Sequence, residues 1–287
     1  MRNPLRKNFF GSLSSGYHKV CNAYDIIGDI AVVKVPKGSP LNAHDTAGMI
    51  MTTHCSVKTV LAQTSRVAGE FRLRPLLYLM GEKKTRTVHR EFGCLFAVDI
   101  AKCYFSPRLS NERQRIASAV KPREIVVNMF AGVGCFSIMI AKKADPERVY
   151  SIDINPSAFQ IMKENIRLNR VYDKVIPLQG DSKEITERKL QNVADRVLMP
   201  LPEKALEYLP IAASTLKPSG GWIHYYDFEH AKKTENPIEK TELKVAERLS
   251  SLNLVFSFPF SQVIRTTGPN WHQVVLDIRI KRSSDKS

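Results

Sequence analysis

Two neighbouring segments, residues 126–142 (VVNMFAGVGCFSIMIAK) and 150–156 (YSIDINP), restrict what this chain can fold into more than any other part of it. The apolar run at 124–130, rich in Ile and Val, predicts a strand; Ala131-Gly132-Val133-Gly134 then makes a turn, and helical spacing resumes at Phe136 and Ile140. A second apolar run, 149–152, ends in Asp153, after which Ala158, Ile161, Met162, Ile166 and Leu168 recur near helical spacing. In a doubly wound α/β sheet, glycines after the first strand admit a ligand to the backbone, and an acid ending the second accepts hydrogen bonds from two ribose hydroxyls. The pattern therefore expects a ligand that contains a nucleoside. Gly132 and Gly134 alone suit a plain turn equally well, and the third glycine of a dinucleotide fingerprint is missing. An Asp at a strand end also commonly caps the next helix, although Asn155 or Ser157 would serve that helix here.

Downstream, strand patterns at 175–178, 196–199 and 222–226 alternate with helical segments near 184–190 and 204–216, which implies a parallel sheet. A helix at 238–252 is followed by two long strand runs, 254–264 and 272–280, joined only by 265–271. Two strands with no helix between them require a hairpin, hence an antiparallel strand in an otherwise parallel sheet. Upstream, residues 1–22 are basic without a sustained period and are expected to be a flexible or remnant segment. A strand at 25–35, a polar turn at 36–40, a helix at 43–63 and two or three strands between 66 and 105 suggest a small α+β domain, 23–108. A connecting helix, 109–121, then leads into the larger domain, 122–287.

Lys and Arg number 43 against 28 Asp and Glu, a net charge of +15 that favours a polyanionic partner but is also compatible with a merely soluble surface. Cys21, Cys55, Cys94, Cys103 and Cys135 are odd in number and lack metal-ligand spacing, so they are expected to be small buried residues. The histidines form no metal motif, and His89, His224 and His272 lie in strand-like runs where packing or hydrogen bonding suffices. No metal is expected. With no spanning apolar run, no lipidation signal and no signal peptide, the chain is read as cytoplasmic, with no membrane partner.

The order of strands with a terminal hairpin resembles class I S-adenosylmethionine methyltransferases rather than dinucleotide oxidoreductases. The chain also contains RLRP (72–75), TVHREFG (87–93), YFSPRLSNER (104–113), MFAGVG (129–134), IDINP, DRVLMPLP (195–202) and GGWIHYYDF (220–228). In this order they resemble the archaeal and eukaryotic tRNA guanine-37 N1-methyltransferase family, from Tyr24 nearly to the C-terminus. The resemblance implies a Rossmann-like α/β methyltransferase domain, S-adenosyl-L-methionine as cofactor, and tRNA, through its anticodon arm with G37, as partner; a monomer is expected, although the sequence does not fix the oligomeric state. By the same resemblance Glu112 is the general base, and Arg72, with Arg74 as the other choice, stabilises charge on the guanine O6. The chemistry agrees, because guanine N1 carries a proton that a carboxylate must take as the methyl group arrives, while negative charge spreads to O6. Without the resemblance, Glu112 reads as an ion-pairing residue of an exposed helix, partnered by Arg108 or Arg115.

The cofactor would be held by Asn128, Phe130, Ala131, Gly132, Gly134, Asp153, Ile154, Asn155, Asp181, Ser182 and Pro200. Asp153 would take the ribose diol; Asp181 would take the adenine amino group or else cap the helix that follows it. Substrate contacts are expected from Tyr104, Arg108, Arg113, Pro200, Leu201 and Pro202, with Arg115 and His89-Arg90 adding positive charge for phosphates. Two positions depart from the family pattern. Asn128 stands where the family usually has Asp, and Pro200-Leu201-Pro202 where it has Asn-Leu-Pro, so a backbone carbonyl of Met199 or Pro200 would have to replace the asparagine. The module with which the family grips the tRNA elbow is expected to be missing or reduced to the first twenty residues. Wyosine-pathway relatives, which transfer an aminocarboxypropyl group or methylate a tricyclic intermediate, and a catalytically silent tRNA binder are the competing readings.

Overall fold

A computed structural model describes residues 24–34, 41–65 and 67–281; the segment 1–22 and the polar turn expected at 36–40 lie outside the described residues. The chain divides into two compact units, residues 1–90 with 97–107, and 91–96 with 108–287. The helix expected as a connector is thus part of the second unit.

In the first unit, strands β1 (Tyr24–Ile27), β2 (Ile30–Lys34), β3 (Thr59–Gln63) and β4 (Leu76–Gly81) form one sheet in that order, with helix α1 (Leu41–Thr53) crossing between β2 and β3. The single strand expected at 25–35 is a hairpin, because Gly28 adopts a positive φ of 57° and turns the chain. The helix expected to run to Gln63 stops at Thr53, and the β-branched stretch beyond it becomes β3, parallel to β2. Ala31, Val33, Ala47, Ile50, Val60 and Leu79 form the core of this unit. Strands β5 (Arg86–Glu91) and β6 (Cys94–Asp99) make a separate two-stranded ribbon.

The second unit begins with α2 (Ser110–Ala119). Its strands are β7 (Ile125–Asn128), β8 (Arg148–Asp153), β9 (Val175–Gln179), β10 (Arg196–Met199), β11 (Gly221–His230), β12 (Val255–Gly268) and β13 (Trp271–Lys281). The helices between them are α3 (Cys135–Lys143), α4 (Pro156–Leu168), α5 (Ser182–Ile185), α6 (Pro202–Thr215) and α7 (Pro237–Ser250), with a π-helical turn at Thr186–Leu190. The strands form one seven-stranded sheet in the order β12-β13-β11-β10-β7-β8-β9. Only β13 runs against its neighbours β11 and β12, as the hairpin requires. Pro259 falls at a register shift of β12, an edge strand, where its missing N–H costs no ladder bond. Val127, Met129, Ile152, Val197, Leu209, Ile223, Tyr225 and Leu276 lie in its core. Of the described cysteines, Cys94, Cys103 and Cys135 are buried as expected, whereas Cys55 is exposed; burial pushes the Cys135 thiol up to about 12. Among the described residues no helix is long and apolar enough to cross a membrane, and no cluster of three metal-ligating side chains occurs.

Candidate active site

The carboxyl ends of β7, β8, β9 and β10 carry the glycine turn and the acids singled out in the sequence. Gly134 begins α3 with φ 91°, and a Cβ there would come within 3.0 Å of Met162 Cγ and 3.2 Å of Ile138 Cδ1. Glycine is thus required both for the turn and for the close packing of α3 on α4. The Asp153 carboxylate accepts hydrogen bonds from Gly132 N–H at 2.6 Å and Asn155 N–H at 2.9 Å, tying the loop after β7 to the end of β8. Burial raises its pKa, and the two N–H donors oppose that rise. A carboxylate acceptor beside a glycine backbone fits the diol of a nucleoside. Asn155, not Asp153, caps α4, by accepting from Ser157 N–H at 3.0 Å.

At Asp181 the cap is real: one oxygen accepts from Lys183 N–H at 2.7 Å, and the other accepts from the Tyr208 hydroxyl at 2.6 Å. Tyr208 also meets Phe130 edge-on, with ring centroids 5.3 Å apart, so the two form an aromatic wall beside Asp181. Sequence reading missed Tyr208, which lies in α6 with nothing but helical spacing to mark it. Asn128 is fully buried and donates to Ser137 Oγ at 3.1 Å. Its Oδ1 also accepts from Phe130 N–H at 3.4 Å, so this side chain braces the loop from beneath. The Ser182 hydroxyl is likewise committed to the Met129 carbonyl. Ile154 is partly exposed at the end of β8. Pro200 and Leu201 lead into Pro202 at the start of α6, and Leu201 N–H donates to Met199 O at 2.9 Å. That bond engages one of the two carbonyls expected to replace the asparagine.

A second cluster surrounds Glu112 on the first turn of α2. The side chain is only 6% exposed, so the reading of an exposed ion-pair helix is corrected, although its partner is indeed Arg115. Arg115 spans two carboxylates, giving Nε and Nη2 to Glu112, both at 2.8 Å, and Nη1 to Asp277 at 2.6 Å. The Tyr226 hydroxyl donates to Glu112 Oε1 at 2.7 Å, and burial against this carboxylate pushes the phenol well above its ordinary pKa. Asp277 faces His224 directly across the β11–β13 pair, with Nδ1 and Oδ1 2.6 Å apart. Donors from His224 and Arg115 outweigh burial and hold the Asp277 carboxyl well below the usual range. Arg196 closes the row, with Nη1 2.6 Å from His224 Nε2 and Nε donating to Glu124 at 2.8 Å.

Arg113, expected to hold a phosphate, is instead buried and grips Glu91 with Nε at 2.8 Å and with Nη2. An arginine on an exposed helix and one buried under it carry the same sequence signal, so spacing alone could not separate them. Arg108 is exposed. Within the first unit, Arg72 adopts φ 52° and places its guanidinium 4.3 Å from the Tyr104 ring centre. Arg74 lies 5.9 Å from the same ring and donates to the Phe105 carbonyl at 2.6 Å. His89 and Arg90 line a depression of about 700 Å³ together with Ser56, Lys84 and Arg86.

Residues 87–253 match the model of the TRM5/TYW2 methyltransferase domain, and residues 5–85 match that of the TYW2 N-terminal domain. The chain is 39% identical to tRNA (guanine(37)-N(1))-methyltransferase Trm5b of Pyrococcus abyssi, over 90% of this chain and 74% of that one. The crystal structure of that Trm5b is similar with a TM-score of 0.81, covering 91% of this chain and 76% of the other. It is 37% identical to tRNA 4-demethylwyosine(37)-methyltransferase Taw21 of Saccharolobus solfataricus, over 89% of this chain and 92% of that one. A structure of Methanocaldococcus jannaschii TYW2 in complex with AdoMet is similar with a TM-score of 0.64 at 29% identity, covering 91% of this chain and all (100%) of the other.

Proposed function

The chain belongs to the TRM5/TYW2 methyltransferase family, and from that premise we propose that it methylates N1 of guanine 37 in tRNA. It is a tRNA methyltransferase of the Trm5 family with S-adenosylmethionine as its cofactor. When bound, that cofactor supplies an electrophilic methyl group. Asp153 would receive its ribose hydroxyls, and the Phe130–Tyr208 wall with Asp181 would receive its base.

The observation that carries the N1 assignment is the buried carboxylate of Glu112, oriented by Tyr226 and Arg115 on the first turn of α2. Glu112 takes the N1 proton, and the lone pair left on N1 accepts the methyl group. Arg72, stacked on Tyr104, is assigned to the negative charge that moves to O6; Arg74, fastened to the Phe105 carbonyl, supports that stack.

A second reading, methylation of 4-demethylwyosine at the same position, is favoured by Pro200-Leu201-Pro202 in place of Asn-Leu-Pro and by the similarity to Taw21. The test incubates the protein with labelled S-adenosylmethionine and three tRNAs, bearing G37, A37 or 4-demethylwyosine, followed by nucleoside mass spectrometry. 1-Methylguanosine formed only on the G37 transcript supports the main reading. A methylated product found only on the wyosine-bearing tRNA replaces it with the second, and an aminocarboxypropyl mass gain replaces both.

A further inference from the structure

The row Glu112–Arg115–Asp277–His224–Arg196–Glu124 lies within the second unit and has an arrangement of donors that fixes where a proton can enter. A guanidinium can only donate, so Arg196 Nη1, 2.6 Å from His224 Nε2, makes that nitrogen an acceptor. The ring proton must then sit on Nδ1, which donates to Asp277 Oδ1. His224 is fully buried, and the charged groups facing it are Arg196 from β10, Asp277 from β13 and Arg115 from α2. Three carboxylates, those of Glu112, Asp277 and Glu124, therefore face two guanidiniums with a neutral imidazole between them. The row is one positive charge short. The shortage falls on Glu112 and Asp277, which share Arg115, because the bonds of Arg196 go to Glu124, the Ala119 carbonyl and His224.

We propose that Arg196 locks His224 as a neutral acceptor, so that the one proton this row lacks is taken up at Glu112 and not at the histidine. Arg196, His224 and Asp277 are positioning residues that act through Arg115. The proposal rests on the assignment of Glu112 as the base for guanine N1. In the step concerned, the N1–H bond breaks, its electron pair stays on N1 for the new bond to the methyl carbon, whose bond to the cofactor sulfonium would break with its own pair going to sulfur, and the proton forms an O–H on the Glu112 carboxylate. Without the lock, a protonated His224 would neutralise Asp277, leave the whole Arg115 charge to Glu112, and make that carboxylate a poorer base. Burial and the neighbouring guanidiniums already lower the His224 pKa, in keeping with a neutral ring.

The test has two measurements on the full chain. In histidine-¹⁵N-labelled protein, with the signal assigned by its loss in His224→Gln, His224 is expected to show a protonated Nδ1 and a bare Nε2 that do not titrate between about pH 5.5 and 8.5. In single-turnover methylation of G37 tRNA, Arg196→Met is expected to acquire a new ionisation near the ordinary histidine value. Its rate should be about tenfold lower on the acid side, and Arg196→Met/His224→Gln should lose that ionisation. A merely structural arginine would lower the rate equally at all pH values. A titrating His224, an Nε2–H tautomer, or an Arg196→Met profile with the wild-type shape overturns the proposal; if Arg196→Met does not fold, the spectrum of the wild-type protein decides. Glu112→Gln is measured alongside. An unaltered rate there removes the base assignment itself, whereas a slow Glu112→Gln with a titrating His224 removes only the lock.

Discussion

Tyr226 and Asp153 belong to the two halves of the proposed reaction, base and cofactor, and each has an outcome that separates orientation from binding. Tyr226→Phe keeps the ring that packs near Phe136 and deletes only the hydroxyl on Glu112. A hydrogen bond to a charged group is worth about 1.5–3 kcal/mol, so denaturant unfolding should report a loss of that order. Single-turnover transfer should slow by about tenfold, because the proposed base, Glu112, is then held by Arg115 alone, while cofactor affinity stays as it was. A rate equal to wild type would remove Tyr226 from the orientation of Glu112. Asp153→Ala has the opposite profile. It frees the N–H groups of Gly132 and Asn155 and deletes the proposed diol acceptor, and calorimetry should show cofactor binding weakened by at least about tenfold. An unaltered affinity would move the ribose contact to another residue. Asp153 and Asp181 stood out in the sequence because they lie at or just beyond the end of a strand pattern, but Tyr208, which bonds Asp181 from 27 residues away, did not.

At the scale of elements, local chemistry wrote the strand–turn–helix units plainly, and pairing did not. Gly134 and the β8 acid announce their structure within a few residues, whereas the β1–β2 hairpin and the short α1 depend on a positive φ at Gly28 and on β3 finding β2. The same limit hid the buried row. His224 and Asp277 meet only through the β11–β13 register, 53 residues apart, and Arg196 reaches His224 from the neighbouring strand. This pairing makes stability depend on pH. In the folded chain His224 is held neutral, while the unfolded chain takes up a proton near its ordinary value of 6.5, so the unfolded state binds more protons below that value. The stability His224 provides is present above about pH 6.5 and is lost as the pH falls. Asp277, held anionic by Arg115 and His224, loses its contribution in the same direction but in a lower window, below its ordinary value of 3.8. Melting temperatures should therefore fall between pH 7.5 and 5.5 and again below about pH 4. His224→Gln should flatten the upper fall and leave the lower one. An upper fall of undiminished size in that variant would assign it to other groups.

For the whole molecule, the excess of +15 and the tRNA partner make ionic strength the natural variable. Each phosphate held contributes about 0.7–0.9 to the slope of log affinity against log salt, so about five contacts would cost roughly a hundredfold or more between 50 and 200 mM. A flat response in filter binding would mean that the excess charge only keeps the protein soluble. The sequence shows the size of that excess but not which cations reach solvent, and two arginines five residues apart make the difference measurable. Arg108 is exposed, and Arg108→Ala should lower the salt slope by about one phosphate's share while leaving the unfolding midpoint almost unchanged. Arg113 is buried on Glu91, and Arg113→Ala strands that carboxylate, which typically costs about 3–5 kcal/mol of stability. Under conditions where it remains folded, its slope should equal that of wild type. If Arg113→Ala instead reduces the slope and spares stability, the buried pair with Glu91 does not persist in solution and the phosphate grip returns to Arg113.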